Sequence, residues 1–164
     1  MPEIRNQNFT QLHIWKNART LKIELFNLLK SFPTCENFRL ADQIIRSSGS
    51  INSSIAEGHG SFTYKDKLHF FIQARGSLTE TKNHWMDALD CSYISQADLD
   101  NFSENVEIIG RLLSGYISFL RTKIWQHFLN PSTHQLINTS GIRLIILIHP
   151  PKGPLLQTIN IIIR

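Results

Sequence analysis

Seven basic side chains stand at helical intervals, and they are the residues best able to engage a polyanion. Lys16, Arg19 and Lys22 are three apart, Arg39 and Arg46 are seven apart, and Arg75 and Lys82 repeat the seven-residue step. Residues at such spacings share one face of an α-helix, and a regular row of cations can follow a regular row of phosphates. These seven are the candidate nucleic-acid contacts. The same residues also support a second reading, in which they pair locally. Arg39, Asp42 and Arg46 form an i, i+3, i+7 ladder, and Glu57 could accept from Arg75 or Lys82 if a hairpin brought them together. Under that reading the cations belong to the structure, or to a solvated face, and not to a site.

Other chemistries find less support. A di-iron bundle needs inward Glu residues with Glu-x-x-His on two helices. Here Glu80 and His84 are four apart, Glu57-Gly58-His59 has the wrong spacing, and the seven histidines are scattered. No metal and no other cofactor is expected. Ser47, Ser48, Ser50, Ser53 and Ser54 cluster without the Gly-x-Ser-x-Gly elbow of a nucleophile. Small residues in such a run let a neighbouring helix come close. Cys35 and Cys91 have no histidine near them in sequence, and two cysteines are too few for a disulfide scaffold or a thiolate zinc site. Gly58 and Gly60 lack the Gly-Lys-Ser/Thr of a phosphate loop, so they read as a helix terminator and turn. No catalytic residue emerges, and the expectation is a protein that is not an enzyme.

The 164 residues carry 17 Lys+Arg against 13 Asp+Glu, for a formal charge of +4. Charge is unevenly placed: residues 1–82 hold 11 basic and 7 acidic side chains, residues 83–123 hold 3 and 6, and residues 124–164 hold 3 and none. A basic half and an acidic segment can attract each other within one chain or between subunits. An apolar fraction of 41% supplies a core and excludes wholesale disorder. The first residues hold no apolar h-region, and the longest apolar run, Leu144 to Ile148, is far too short to span a bilayer. Together with the cysteine count, this leads to the expectation of a soluble, cytoplasmic protein without a membrane partner.

Proline usage shows which elements must carry the cations. No proline occurs between Pro33 and Pro131, a stretch that permits long helices. Four are predicted. The first covers about 10–31, with Leu12, Trp15, Ala18, Leu21, Leu25, Leu28 and Leu29 as its stripe, and Pro33 stops it. The second covers about 38–57, with Leu40, Ile44, Ser48, Ile51 and Ile55, and ends at Gly58 and Gly60. The third covers about 63–93, with Leu68, Phe71, Ala74, Leu78, Trp85 and Leu89; Gly76 within it suggests a close helix crossing. The fourth begins at Ser95, where Ser95 and Asp98 resemble a capping box, and continues through Leu99, Phe102, Val106, Ile109, Leu113, Tyr116 and Leu120. The fold class is therefore all-α, an antiparallel up-down-up-down four-helix bundle over residues 1–125. Residues 126–164 form a C-terminal extension that is irregular or β-prone. It reads either as an appended segment without its own function or as a strand that pairs between subunits. Trp15, Tyr93 and Tyr116 exceed what one small core readily places, which argues for a homo-oligomer.

The segment from Ile44 to Thr81 resembles the four-helix-bundle proteins encoded within intervening sequences of bacterial 23S rRNA genes. The match lies in Ser50-Ile51, Ile55-Ala56-Glu57-Gly58, Ala74, Gly76-Ser77-Leu78 and Glu80. Leu12, Trp15, Ala18 and Phe32-Pro33 fit that family's first helix, so the resemblance covers roughly residues 9–122. Ser54 stands where the family usually has Asn, and Arg46 is followed by Ser47 where a second arginine is frequent. The resemblance implies a ring-like homopentamer with a connection to RNA. It also implies kinship with the accessory variability protein of diversity-generating retroelements, which engages RNA and a reverse transcriptase. Two functions follow as expectations. One is RNA association through the seven cations; the other is a structural adaptor for a protein partner such as a reverse transcriptase.

Overall fold

The computed structural model describes residues 8–36 and 38–128, and the expected β-prone tail lies outside them. Two compact units divide the chain, Met1–Leu120 and Arg121–Arg164. Among the described residues there are four α-helices and no strand: α1 (His13–Leu28), α2 (Leu40–Gly60), α3 (Tyr64–Asp90) and α4 (Gln96–Phe128). Within the first unit they form the antiparallel up-down-up-down bundle that the hydrophobic periodicity demands. Asn52 of α2 meets Trp15 of α1, Ser50 meets Ser77 of α3, Trp85 of α3 meets Phe102 of α4, and Asn105 of α4 meets Glu24 of α1.

Each helix buries the stripe its sequence spaces at three and four. Ile14, Ala18, Leu21 and Leu25 come from α1, and Ile44, Ile51 and Ile55 from α2. Phe71, Leu78 and Trp85 come from α3, facing Phe102, Ile109, Leu113, Ile117 and Leu120 of α4. Full burial of such side chains contributes roughly 1.5–3 kcal/mol each, which is what offsets the ordering of so many backbone residues. Ile117, not Tyr116, takes the inward place near the end of that stripe. Tyr116 lies half-buried against Phe71, with ring centroids 4.2 Å apart.

The helices start and stop for identifiable reasons. Before α1, a 3-10 turn at Phe9–Gln11 is broken by Leu12 in extended conformation, so the expected single helix over 10–31 is three pieces. Thr63 caps α3 by accepting from the Asp66 N–H at 3.0 Å. At α4 the expected capping box is present: the Asp98 N–H donates to Ser95 Oγ at 3.2 Å, and the Ser95 N–H returns a bond to Asp98 Oδ2 at 2.9 Å. The Ser95 hydroxyl also donates to Asp98 Oδ2 at 2.6 Å, and this bond, with that from the Ser95 N–H, holds the Asp98 carboxyl below its ordinary range. After Asp90, α3 closes in a Schellman motif. The Tyr93 N–H reaches the Ala88 carbonyl at 2.9 Å, the Ser92 N–H reaches the Leu89 carbonyl at 2.8 Å, and Ser92 has φ +59°.

Two glycine readings from the sequence are corrected. Gly58 does not end α2, which continues to Gly60, where the Ser61 N–H closes on the Glu57 carbonyl at 3.0 Å. Gly58 is instead the point of closest helix approach, because a Cβ there would stand 2.9 Å from Phe71 Cδ2 and Cε2 and 3.0 Å from Phe70 Cβ. Gly76 marks no crossing; a Cβ there would meet open space. The aromatic surplus also disappears. Trp15 packs edge-on against Phe9 at 5.3 Å, Tyr93 lies 5.3 Å from Phe32, and Tyr116 covers Phe71, all within one chain.

The two glycines should therefore respond oppositely to alanine. Gly58→Ala is expected to lower stability by about 1–3 kcal/mol, because a fully buried ring cannot yield. Gly76→Ala should raise it by about 0.5–1 kcal/mol through helix propensity alone. Urea unfolding of both variants checks the pair, and equal signs would contradict the placement of the α2–α3 crossing.

Candidate nucleic-acid interface

The seven candidate cations fall into distinct places. Asn52 of α2 donates to the Trp15 carbonyl at 3.1 Å, which fixes the flank of α1 that faces α2. Arg19 and Lys22 stand one and two turns beyond Trp15 on that flank, and Lys16 lies beside it. All three reach solvent, Lys22 less fully than the other two. The Arg19 guanidinium carbon sits 5.8 Å from the Trp15 ring centroid, so the indole holds the side chain while leaving its charge outward. Lys16 Nζ donates to Gln11 Oε1 at 3.3 Å, a neutral partner. Among the described residues, no carboxylate pairs with Lys16, Arg19 or Lys22.

The arginine before α2 and the one on it do pair with acids. Arg46 Nε lies 3.2 Å from Asp42 Oδ2, as the local-pairing reading expects. Arg39 does not join that ladder; its Nη1 is 3.9 Å from Glu36 Oε1. Both guanidinium groups remain largely exposed, so each pair is worth little to stability and both charges still face solvent. Arg75 and Lys82 are separate from this group. Ser77 and Thr81 define the flank of α3 that faces α2, through hydroxyl bonds to Ser50 at 2.9 Å and to Ser47 at 3.0 Å. Leu78 lies toward α4, where it would meet a Cβ at Gly110 at 3.9 Å. Arg75 and Lys82, three before and four after Leu78, share Leu78's flank and point away from α2. That geometry overturns the expected Glu57–Arg75 and Glu57–Lys82 pairs; among the described residues neither forms.

The seven cations thus stand at three places: Lys16, Arg19 and Lys22 on α1, Arg39 and Arg46 at the start and in the first half of α2, and Arg75 and Lys82 on α3. A cleft of about 340 Å³ between α1 and α4, floored by Trp85 and Phe102, is lined by Glu24 and Asp98. Its carboxylates would repel phosphate, so it is not part of this interface. Glu80 and Asp87 flank His84 at 3.7 and 3.5 Å as helix neighbours, and no group of three metal-ligating side chains occurs among the described residues.

Two polar residues matter more than the sequence shows. Glu36, only 8% exposed, accepts from the Leu40 N–H at 3.3 Å and from the Tyr93 hydroxyl at 3.1 Å. It thereby caps α2 and ties the α1–α2 connection to the α3–α4 connection. An acid just before a helix start was the available signal, but its distant partner Tyr93 was not legible. Lys67 Nζ donates to the carbonyls of His59 at 2.9 Å and Gly58 at 3.4 Å, closing the other end of α2. Partial burial lowers the Lys67 ammonium's pKa, and burial together with the Lys67 charge lowers that of His59.

The matched stretch of sequence agrees with this architecture. Residues 10–115 match the model of the 23S rRNA-intervening sequence proteins. The chain belongs to that family. Among solved structures, this intervening-sequence protein is similar to a protein of unknown function from the S23 ribosomal protein family of Bacteroides thetaiotaomicron. The TM-score is 0.59 at 21% identity, over 63% of this chain and 94% of the other. At that identity the likeness establishes the fold. No curated protein matches the chain. The family's Ile-Ala-Glu-Gly segment has a physical basis in the bundle: Ile55 is core, Glu57 is solvated, and Gly58 admits Phe71.

His59 gives a pH test of the α2 terminus. Its folded pKa lies below the ordinary 6.5, so the folded state resists protonation. Stability from this group is fully present above 6.5 and is lost as pH falls toward the lowered value. The melting temperature should fall more between pH 7 and pH 5 in the native chain than in His59→Gln. Parallel thermal melts at the two pH values measure the difference.

Proposed function

We propose that this intervening-sequence family protein is a non-enzymatic, RNA-associated bundle that binds phosphates through the α1–α2 face and acts as a homo-oligomer in the cytoplasm. The observation that supports this most directly is the row Lys16, Arg19 and Lys22, exposed on one flank with no acid partner among the described residues. Arg39 and Arg46 add exposed positive charge at the start and in the first half of α2, and Arg75 and Lys82 add it on α3. Cations arranged this way bind by releasing counterions, which gives affinity without sequence readout. The family's name links its members to an rRNA gene. No helix among the described residues is long and apolar enough to cross a membrane.

A second reading is an adaptor for a protein, such as a reverse transcriptase. It draws on apolar side chains left in solvent on α1 (Ile23, Phe26) and α4 (Ile108, Leu112). The same side chains support self-association, up to the homopentamer that the family resemblance implies.

The test replaces Lys16, Arg19 and Lys22 together by Gln. Affinity for structured RNA should drop for all sequences alike, and the slope of log K against log salt should shrink by about 2–3, for three lost phosphate contacts. Melting temperature should stay unchanged, since none of the three holds a carboxylate and Gln is a good helix former. Unchanged RNA binding in this variant would reject the α1–α2 face as the interface.

A further inference from the structure

The end of the bundle opposite Gly58 brings both cysteines of the chain to one tyrosine. Cys35 lies in the 3-10 turn Thr34–Glu36 between α1 and α2, and Cys91 is the residue that follows α3. Both are exposed free thiols. Tyr93 is held from two sides of Cys35: its ring lies 5.3 Å from that of Phe32, and its hydroxyl donates to Glu36 Oε1 at 3.1 Å. The Schellman turn, with Ser92 at φ +59°, in turn fixes Cys91 relative to Tyr93. Cys35 and Cys91 thus sit on two separate connections that one side chain clamps together. The phenol registers both thiols. Its pKa is raised first by the Glu36 hydrogen bond, then by burial and the Glu36 charge, and further by Cys91 and Cys35.

We propose that Cys35 and Cys91 form a redox-responsive pair that closes to an internal disulfide and braces the α1–α2 connection against the α3–α4 connection. The oxidant is a small-molecule disulfide of the glutathione class. One cysteine thiolate attacks it, expelling one thiolate and leaving a mixed disulfide on the protein. The second cysteine, deprotonated, attacks the protein sulfur of that mixed disulfide and expels the other small thiolate. Two cysteine thiols lose two electrons and two protons, and one small disulfide becomes two small thiols, so the exchange balances. The bridge needs Cα atoms about 4.4–6.8 Å apart, and short surface turns can supply that approach where a helix interior could not. The closed loop spans nearly half of the first compact unit, so the crosslink restricts the unfolded chain far more than the folded one.

Neither thiol belongs to the proposed phosphate face, so this pair and the RNA reading can fail separately. The reduced full-length chain is incubated with glutathione disulfide and then digested with trypsin. The expected result is loss of both free thiols without retained glutathione, and a crosslink between peptides 31–39 and 83–111. The melting temperature should rise, and the rise should reverse on reduction. Cys35→Ser and Cys91→Ser should each keep a stable mixed disulfide and show no such rise. Two glutathione adducts on the native chain, dimers joined through cysteine, or an internal disulfide with no gain in melting temperature would overturn the proposal.

Discussion

At Gly58 the backbone of α2 approaches α3 so closely that Phe71 occupies the space a side chain would need. Two helices can come that near only if everything between them is small, and the intervening positions obey that constraint. Ser47, Ser54 and Ser77 are buried, and the hydroxyls of Ser47, Ser50, Ser77 and Thr81 bond across the seam in pairs. Buried hydroxyls cost free energy unless partnered, so each pair fixes the register as well as the separation. A slip of one residue along the seam would separate both hydroxyl pairs and drive Phe71 into a backbone position with a side chain. The α2–α3 seam is consequently held in one register, and α1 and α4 add their larger apolar stripes to the same core.

The two ends of α2 are held by residues from outside the helix. At its start, the Glu36 carboxylate receives the Leu40 N–H that Arg39, an N-cap with no side-chain bond, leaves open. At its end, the Lys67 ammonium donates to carbonyls of the last turn. Both arrangements place charge with the sense of the helix dipole, negative at the N-terminus and positive at the C-terminus. Each also brings a second segment along. Glu36 recruits Tyr93, and Lys67 anchors the first turn of α3.

Charge is sorted over the fold in a way that matters for a polyanion. Lys16, Arg19 and Lys22 on α1 pair with no acid among the described residues, while Glu24 and Asp98 line the cleft between α1 and α4. Charges of opposite sign therefore contribute unequally to the field over different parts of the surface. Arg39 and Arg46 keep their guanidinium groups largely in solvent despite their acid partners, and exposed ion pairs of this kind contribute little to stability.

Four helices, their stripes and the capping box at Ser95 were determined by the sequence alone, because hydrophobic periodicity and local hydrogen bonds act over three to four residues. The identity of the bundle was equally legible in the run from Ser50 to Glu80. Which glycine serves the crossing was not. Gly58 and Gly76 look alike in sequence, and the difference lies in Phe71, which comes from another helix. The same holds for the partners of Glu36 and Lys67, and for which of the seven cations pair with an acid. The distribution around each helix axis is a local property, but which neighbour lies on which side is settled only when the core closes. Burial of the apolar stripes fixes that arrangement, and the polar side chains then take the partners it brings within reach.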